Sequence, residues 1–349
     1  MNLSDFDYDL PKHLIAQTPA QQRDASRLMV LDRRRKTIYH TRFSDIISFI
    51  RSGDLLVAND TRVIPARLYG KKKTGGWIEV FLLGVVGTQA GMPVWECLVK
   101  SRRPVTIPAT ITFTDELFGL LLERTGNNTW IIQLHCAGDI HQALERAGRT
   151  PLPPYIRRSR EGTDDANDRA RYQTVYARTS GSVAGPTAGF HFTPELMDTI
   201  SAQGARFAFV TLHVGYGTFQ PIRTETVEAH TMHAEYYQVC AETAKQVTQA
   251  LAEKRRVIAV GTTATRVLET CTTPEGIMSP GEGLTDLYIY PGYTFKAVSA
   301  LITNFHLPRS SLLLLVAAFA GRDFILQAYA EAVKEQYRFY SYGDAMLIL

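Results

Sequence analysis

Residues 241–266 read AETAKQVTQALAEKRRVIAVGTTATR. They spell a helix over 241–254, an apolar strand over 256–261, and a second helix that starts at Thr262 directly after Gly261. Helix, strand and helix in immediate succession belong to a helix-covered sheet, mixed or largely parallel. Upstream lies the apolar strand FAFVTLHV (207–214), itself preceded by a helix capped by Thr193 with Pro194 at its first position. Downstream, DLYIYP (286–291) and ALITNF (300–305) are expected as strands, with two helices after Pro308. RLMVLDR (27–33), TIYH (37–40) and DLLVAN (54–59) add N-terminal strand signals that have no closed core of their own.

The stretch between them has a different character. From Arg67 to Cys136 the chain is a series of short β-type runs, WIEVFLLG, VWECLVK, ATITFT, LFGLLLER and TWIIQLHC, separated by turn residues. That pattern predicts a small antiparallel sheet or barrel. A helix over Asp139 to Ala147 leads to the Pro-rich hinge PLPPYIRR (151–158), and SREGTDDANDRAR (159–171) reads as an exposed loop. The expected fold is therefore an α/β (mixed α+β) main domain of residues 1–66 plus 150–349, with a β-barrel-like domain, 67–149, inserted into it.

With 349 residues, 45% of them hydrophobic, the chain buries a proper core and is no disordered tail. The four cysteines, Cys97, Cys136, Cys240 and Cys271, form no C-x-x-C pair and are few for a secreted scaffold. The N-terminus carries acidic residues and no apolar h-region, and the longest apolar run, Leu312 to Ala320, is too short for a bilayer, so a cytoplasmic location without membrane contact is expected. Net charge is only +4, yet basic residues gather at 33–36, 71–73, 102–103 and 157–160, where they suit either a phosphate backbone or plain solvated turns.

Six segments carry candidate chemistry. Gly181 to Thr193 is a glycine-rich loop ending in a helix cap, with Thr187, Gly189, Phe190 and His191 inside it. Thr211 to Pro221 follows an apolar strand, which places His213, Gly215, Gly217 and Thr218 where ligands gather in α/β sheets, but it is not a Rossmann G-x-G-x-x-G fingerprint. His230, His233 and Glu235 lie close together and suit a metal, acid–base work or a polar surface. Thr262, Thr263 and Arg266 open a helix whose amides suit a carboxylate or phosphate, or serve as an ordinary cap. Asn304 and His306 read as an exposed turn before a very apolar helix. Tyr342 and Asp344 belong to an aromatic C-terminal segment suited to base stacking or to a buried sheet edge.

In order along the chain these segments, together with Leu14–Gln17, Ser26–Leu28, Asn59–Arg67, Pro151–Ile156 and Tyr172–Tyr176, resemble the S-adenosylmethionine:tRNA ribosyltransferase-isomerases nearly end to end. Four positions depart from that family's pattern: Gly185 for alanine, Phe190 for leucine, Ala264 for serine and Val267 for threonine. The resemblance implies a two-domain enzyme of queuosine biosynthesis that uses S-adenosylmethionine as a consumed ribosyl donor. No further cofactor or metal is implied. The implied acceptor is tRNA carrying 7-aminomethyl-7-deazaguanine at the wobble position, and the implied products are epoxyqueuosine-tRNA, adenine and methionine. A monomer is expected. Within that chemistry His191, His213 and His233 are the candidate acids and bases, with Glu235 orienting an imidazole or facing the sulfonium. Thr262, Thr263 and Arg266 are expected to take the methionine carboxylate, and Asn304, His306 and Asp344 the ribose or deazaguanine. Thr187, Gly189, Phe190, Gly215, Gly217, Thr218 and Tyr342 complete the expected binding surface. Rival readings are a metal-dependent hydrolase built on His230, His233 and Glu235, a non-catalytic RNA-binding protein, and a methyltransferase, against which the missing glycine fingerprint argues.

Overall fold

A computed structural model describes the chain apart from Asn127, residues 159–164, Tyr216 and residues 218–221. Thr218, one of the expected binding residues, lies outside the described residues. In chain order the strands are β1 (Arg27–Asp32), β2 (Thr37–Arg42), β3 (Leu55–Asn59), β4 (Thr61–Val63), β5 (Arg67–Lys72), β6 (Trp77–Gln89), β7 (Met92–Ser101), β8 (Ala109–Thr112), β9 (Leu117–Arg124) and β10 (Trp130–Cys136). They continue with β11 (Thr179–Ser182), β12 (Arg206–Leu212), β13 (Glu235–Val239), β14 (Val257–Val260), β15 (Gly281–Thr285), β16 (Ala300–Asn304) and β17 (Ala345–Ile348). The α-helices are α1 (Ile140–Ala147), α2 (Asp165–Arg171), α3 (Pro194–Ala202), α4 (Ala241–Ala252), α5 (Thr262–Cys271), α6 (Ser311–Ala320) and α7 (Arg322–Lys334).

Nine strands form one mixed sheet in the order β15-β13-β12-β3-β14-β16-β17-β1-β2. Its centre is parallel: β3 pairs with β12 and β14, and β14 with β16, all in the same direction. Both faces are covered, and the period-two alternation of a strand shows how. Leu55 and Val57 of β3, with Val257 and Ala259 of β14, face a core shared with α4, α5, α6 and α7. Leu56 and Ala58, with Ile258 and Val260, face a second core shared with α3 and the 3-10 turn at Phe43–Phe49. Local chemistry sets the helix starts: Thr193 accepts from the Leu196 amide with Pro194 behind it, and Ser310 accepts from that of Leu313. No single described helix is long and apolar enough to cross a membrane.

Strands β5 to β10 pair antiparallel in the closed order β10-β7-β6-β5-β8-β9. The interior of this ring takes alternate residues, among them Leu68, Ile78, Val80, Leu82, Ile111, Leu121, Ile132 and Leu134. Its two chain ends meet, because Arg67 and Arg149 exchange backbone hydrogen bonds of 3.2 and 2.8 Å.

Three expectations change. The strand expected over 286–291 lies earlier, at β15, where it pairs antiparallel with β13; Leu287, Tyr288 and Tyr290 instead pack against the core, and the Leu287 carbonyl accepts from Arg266 Nε. Of the loop expected over 159–171, residues 159–164 lie outside the described residues and 165–171 form helix α2, held by Asp168, which takes both arms of Arg158 at 2.8 and 2.9 Å. The turn carrying Asn304 and His306 is buried rather than exposed, since Phe305 beside them anchors the core against Tyr329, Tyr337 and Phe339.

Candidate functional site

The carboxyl ends of β3, β14 and β16 are adjacent, and beyond them lies a cavity, the position at which ligands collect in an open parallel sheet. Gly185, Thr187, Thr262, Thr263, Asn304, His306 and Tyr155 are among its lining residues. The starts of α5 and α6 both reach it, through Gly261 to Thr263 and through Ser310, so two sets of helix-start amides and two positive dipole ends serve one space. Gly261 makes the α5 approach possible: its φ of 94° lies in the left-handed region that favours glycine.

A chain of hydrogen bonds runs from the cavity wall inward. Thr187 Oγ1 donates to Asn304 Oδ1 at 2.9 Å, and Asn304 Nδ2 donates to His191 Nε2 at 3.2 Å and to the Tyr340 carbonyl at 3.2 Å. The Tyr340 carbonyl, with that of Asp344 at 3.4 Å, fixes the amide's orientation, so His191 Nε2 is the acceptor and its proton sits on Nδ1, which donates to Ser26 Oγ at 2.7 Å. Burial, and secondarily Arg23, pushes the His191 imidazole down to about 3, so it is neutral in the folded protein. His306 is likewise buried and pushed down to about 3, between Thr303 and the Tyr329 hydroxyl.

His213 stands apart at the end of β12. Its Nδ1 is 2.8 Å from Thr61 Oγ1 and its ring stacks on Tyr236 at 5.4 Å. Its Nε2 faces Gly181, where an added Cβ would come within 2.6 Å of it. The ring is half-buried and its pKa is lowered by that burial, with Asp60 opposing. Asn59, fully buried between the His213 strand and the cavity, joins the two: Oδ1 accepts from the amides of Thr61 and Leu212, while Nδ2 donates to the Leu212 carbonyl and Thr263 Oγ1.

Over residues 3–348 the chain matches the model of the queuosine biosynthesis protein family. It is 50% identical over its full length, and that of the relative, to a protein of Trichlorobacter lovleyi named S-adenosylmethionine:tRNA ribosyltransferase-isomerase. Proteins of the same name from Geotalea uraniireducens and Staphylococcus haemolyticus are 51% and 48% identical, again with complete coverage of both chains. The crystal structure of an S-adenosylmethionine tRNA ribosyltransferase from Thermotoga maritima covers 99% of this chain and 100% of its own, with 38% identity and a TM-score of 0.55. The chain belongs to the queuosine biosynthesis protein family.

Of the binding positions expected from resemblance to that family, the cavity gathers Thr187, Thr262, Thr263, Asn304 and His306, with His191 one hydrogen bond behind. The other described ones are elsewhere. Glu235 and Arg266 form a buried ion pair; Glu235 also accepts from the Gly215 amide at 2.7 Å, and Arg266 donates to the carbonyls of Leu287 and Thr285 at 3.0 Å each. Arg266 therefore clamps Glu235 and does not line the cavity. His233 is exposed with its ring against Gly217, where an added Cβ would approach to 2.5 Å. Among the described residues no three His, Cys, Asp or Glu side chains come together as metal ligands, so His230, His233 and Glu235 do not form such a group. Asp344 spends both oxygens on the backbone amides of Arg27 and Arg338, and the Tyr342 hydroxyl goes to Asp168. Gly189 packs on Tyr176, which leaves no room for a side chain there.

Two of the departures from the family pattern are neighbours. A Cβ on Gly185 would meet Phe190 Cζ at 2.3 Å, so the smaller residue at one position makes space for the larger one at the other. Sequence reasoning did not single out Ser26, Asn59 or Thr61 as site residues. Their signal was a polar residue at the edge of an apolar run, which marks strand ends everywhere.

Proposed function

We propose that this enzyme transfers and isomerises the ribosyl moiety of S-adenosylmethionine onto 7-aminomethyl-7-deazaguanine at the wobble position of tRNA, giving epoxyqueuosine-tRNA, adenine and methionine. S-adenosylmethionine is consumed as a co-substrate, with no other cofactor. The observation that supports this reading is the convergence of two helix starts on one cavity at the carboxyl edge of the sheet, its largely apolar wall carrying the hydroxyls of Thr262, Thr263 and Ser310. An amino-acid carboxylate is held by such amides, here at Thr262, Thr263 and Ser310.

The reaction requires a base for the proton on the carbon beside the sulfonium and an acid for the departing adenine. His213 is the base in this reading: half-buried, with its pKa lowered by that burial, it is unprotonated near neutrality, and Thr61 fixes its ring. His191, neutral and bonded on both nitrogens, acts through Asn304 as a positioning residue. Exposed His233 is the imidazole left to protonate adenine.

The test is to incubate chelator-treated protein with S-adenosylmethionine and tRNA bearing the aminomethyl-deazaguanine, following adenine, methionine and S-adenosylhomocysteine by mass spectrometry. Adenine and methionine together without S-adenosylhomocysteine are expected, and His213→Ala is expected to slow adenine release by roughly 10²-fold or more. Unchanged rates in His191→Ala, His213→Ala and His233→Ala would sink the proposed roles, and S-adenosylhomocysteine as product would sink the reaction.

A further inference from the structure

On the far side of His191 from the first cavity lies a smaller one, between the N-terminal segment, the end of α2 and the C-terminal turn. Pro19, Ala20, Arg23, Arg171, His191 and Ser341 are among its walls. Ser341 lines both cavities, so the two stand back to back.

Two guanidinium groups meet here. Arg23 donates to the carbonyls of Phe190 and Ala170 at 3.0 and 2.8 Å; Arg171 donates to those of Gln21 and Ala20 at 3.1 and 2.7 Å. Among the described residues neither has an ion-pair partner, and Arg171 Nε is buried with no acceptor. The acids in this region are already engaged: Asp168 with Arg158 and Tyr342, Asp344 with the amides of Arg27 and Arg338. Asp24, next to Arg23 in the chain, pairs with neither. Burial and the neighbouring Arg171 charge push the Arg23 guanidinium down to about 10. Adjacent partly buried cations held in place by neutral carbonyls cost stability unless an anion joins them. Their carbonyl bonds orient the forks and leave donors over for an oxyanion.

We infer that Arg23 and Arg171 together seat one backbone phosphodiester of the RNA acceptor, next to the His191–Asn304 array. This rests on the tRNA reading given under the proposed function. A phosphodiester fits better than the amino-acid carboxylate, because the carboxylate has two helix starts of its own in the first cavity and a tetrahedral phosphate offers oxygens to both forks. Seating a phosphate one wall away from that cavity fixes the strand whose base must enter it.

The experiment measures binding of a fluorescent anticodon stem-loop RNA by anisotropy across a potassium chloride series, with S-adenosylmethionine binding by calorimetry as control. The double variant R23Q/R171Q is expected to bind the RNA about 10-fold more weakly at low salt, to lose about one unit from the slope of log Kd against log salt, and to bind S-adenosylmethionine as the unmodified protein does. R23K/R171K, which keeps both charges where the glutamine variant fails to fold, is expected to keep the slope while losing affinity through its missing forks. RNA binding by the unmodified protein with affinity and slope unchanged in R23Q/R171Q, or undiminished affinity in R23K/R171K, overturns the phosphate seat and leaves the tRNA reading intact. Thermal stabilisation by inorganic phosphate that R23Q/R171Q abolishes, with RNA binding unaffected, identifies a free-anion site instead and likewise overturns it. No RNA binding by the unmodified protein overturns the tRNA reading and this inference with it.

Discussion

His191 and His306 are each pushed by burial from an ordinary 6.5 down to about 3, and the consequence is a pH dependence of folding. The unfolded chain takes up these protons as pH falls through about 6.5, while the folded chain does not until about 3. Stability is therefore full above the unfolded value and is lost progressively as pH drops between the two. At pH 5 each buried histidine costs roughly 2 kcal/mol relative to neutral pH. The expected result is that His306→Gln loses less stability between pH 7.5 and pH 5 than the unmodified protein does, by about that amount in urea titrations. Equal losses would mean that His306 titrates normally in the folded state. Both histidines were named from sequence, His191 as a candidate acid or base and His306 as a substrate contact; the bonds of His191 to Ser26 and Asn304 and of His306 to Tyr329 depend on residues far away along the chain, which no local pattern reveals.

The Glu235–Arg266 pair belongs to the elements it joins. Arg266 projects from α5 to Glu235 on β13 and to the Thr285 carbonyl at the end of β15, while Glu235 holds the Gly215 amide just past β12. One buried cation thus ties the helix that opens the cavity to the edge of the sheet. Arg266→Met removes the cation facing the buried Glu235 carboxylate and is expected to cost about 3–5 kcal/mol, whereas E235Q/R266M costs clearly less than the two single changes added together. Thermal denaturation of the four proteins measures this, and additivity within about 0.5 kcal/mol would show that the pair is not coupled. At this scale the sequence was most legible where periodicity and capping agree: α3 with Thr193 and Pro194, α4, α5, and β1, β3 and β14 stand where they were expected. It failed at 286–291, because aromatic β-formers there pack as irregular chain over the core and the pairing partner of β13 is the glycine-containing Gly281–Thr285.

At the scale of the whole molecule, the two ends of the antiparallel ring meet where Arg67 and Arg149 exchange backbone hydrogen bonds, and the expectation that 67–149 is an inserted domain can be tested there. A variant in which residues 68–148 are replaced by a short Gly-Ser link is expected to unfold cooperatively with its helical circular dichroism retained, at reduced stability, because Ile64, Ala66 and Val183 lose the apolar cover the ring provides. Non-cooperative melting would show that the sheet depends on the ring to fold. Alternation of apolar residues, helix caps and turn residues sufficed to determine the mixed sheet with helices on it and the run of short antiparallel strands inside it, because those signals are local and each residue carries its share. The site was decided by tertiary structure. Only the folded chain, with β3, β14 and β16 side by side, brings the starts of α5 and α6 to one cavity, turns Arg266 towards Glu235 instead of a ligand, and sets Arg23 beside Arg171 with no acid between them. Those contacts join residues separated by tens to hundreds of positions in the chain, and burial, which decides the charge state of His191 and His306, exists only once the chain has closed around them.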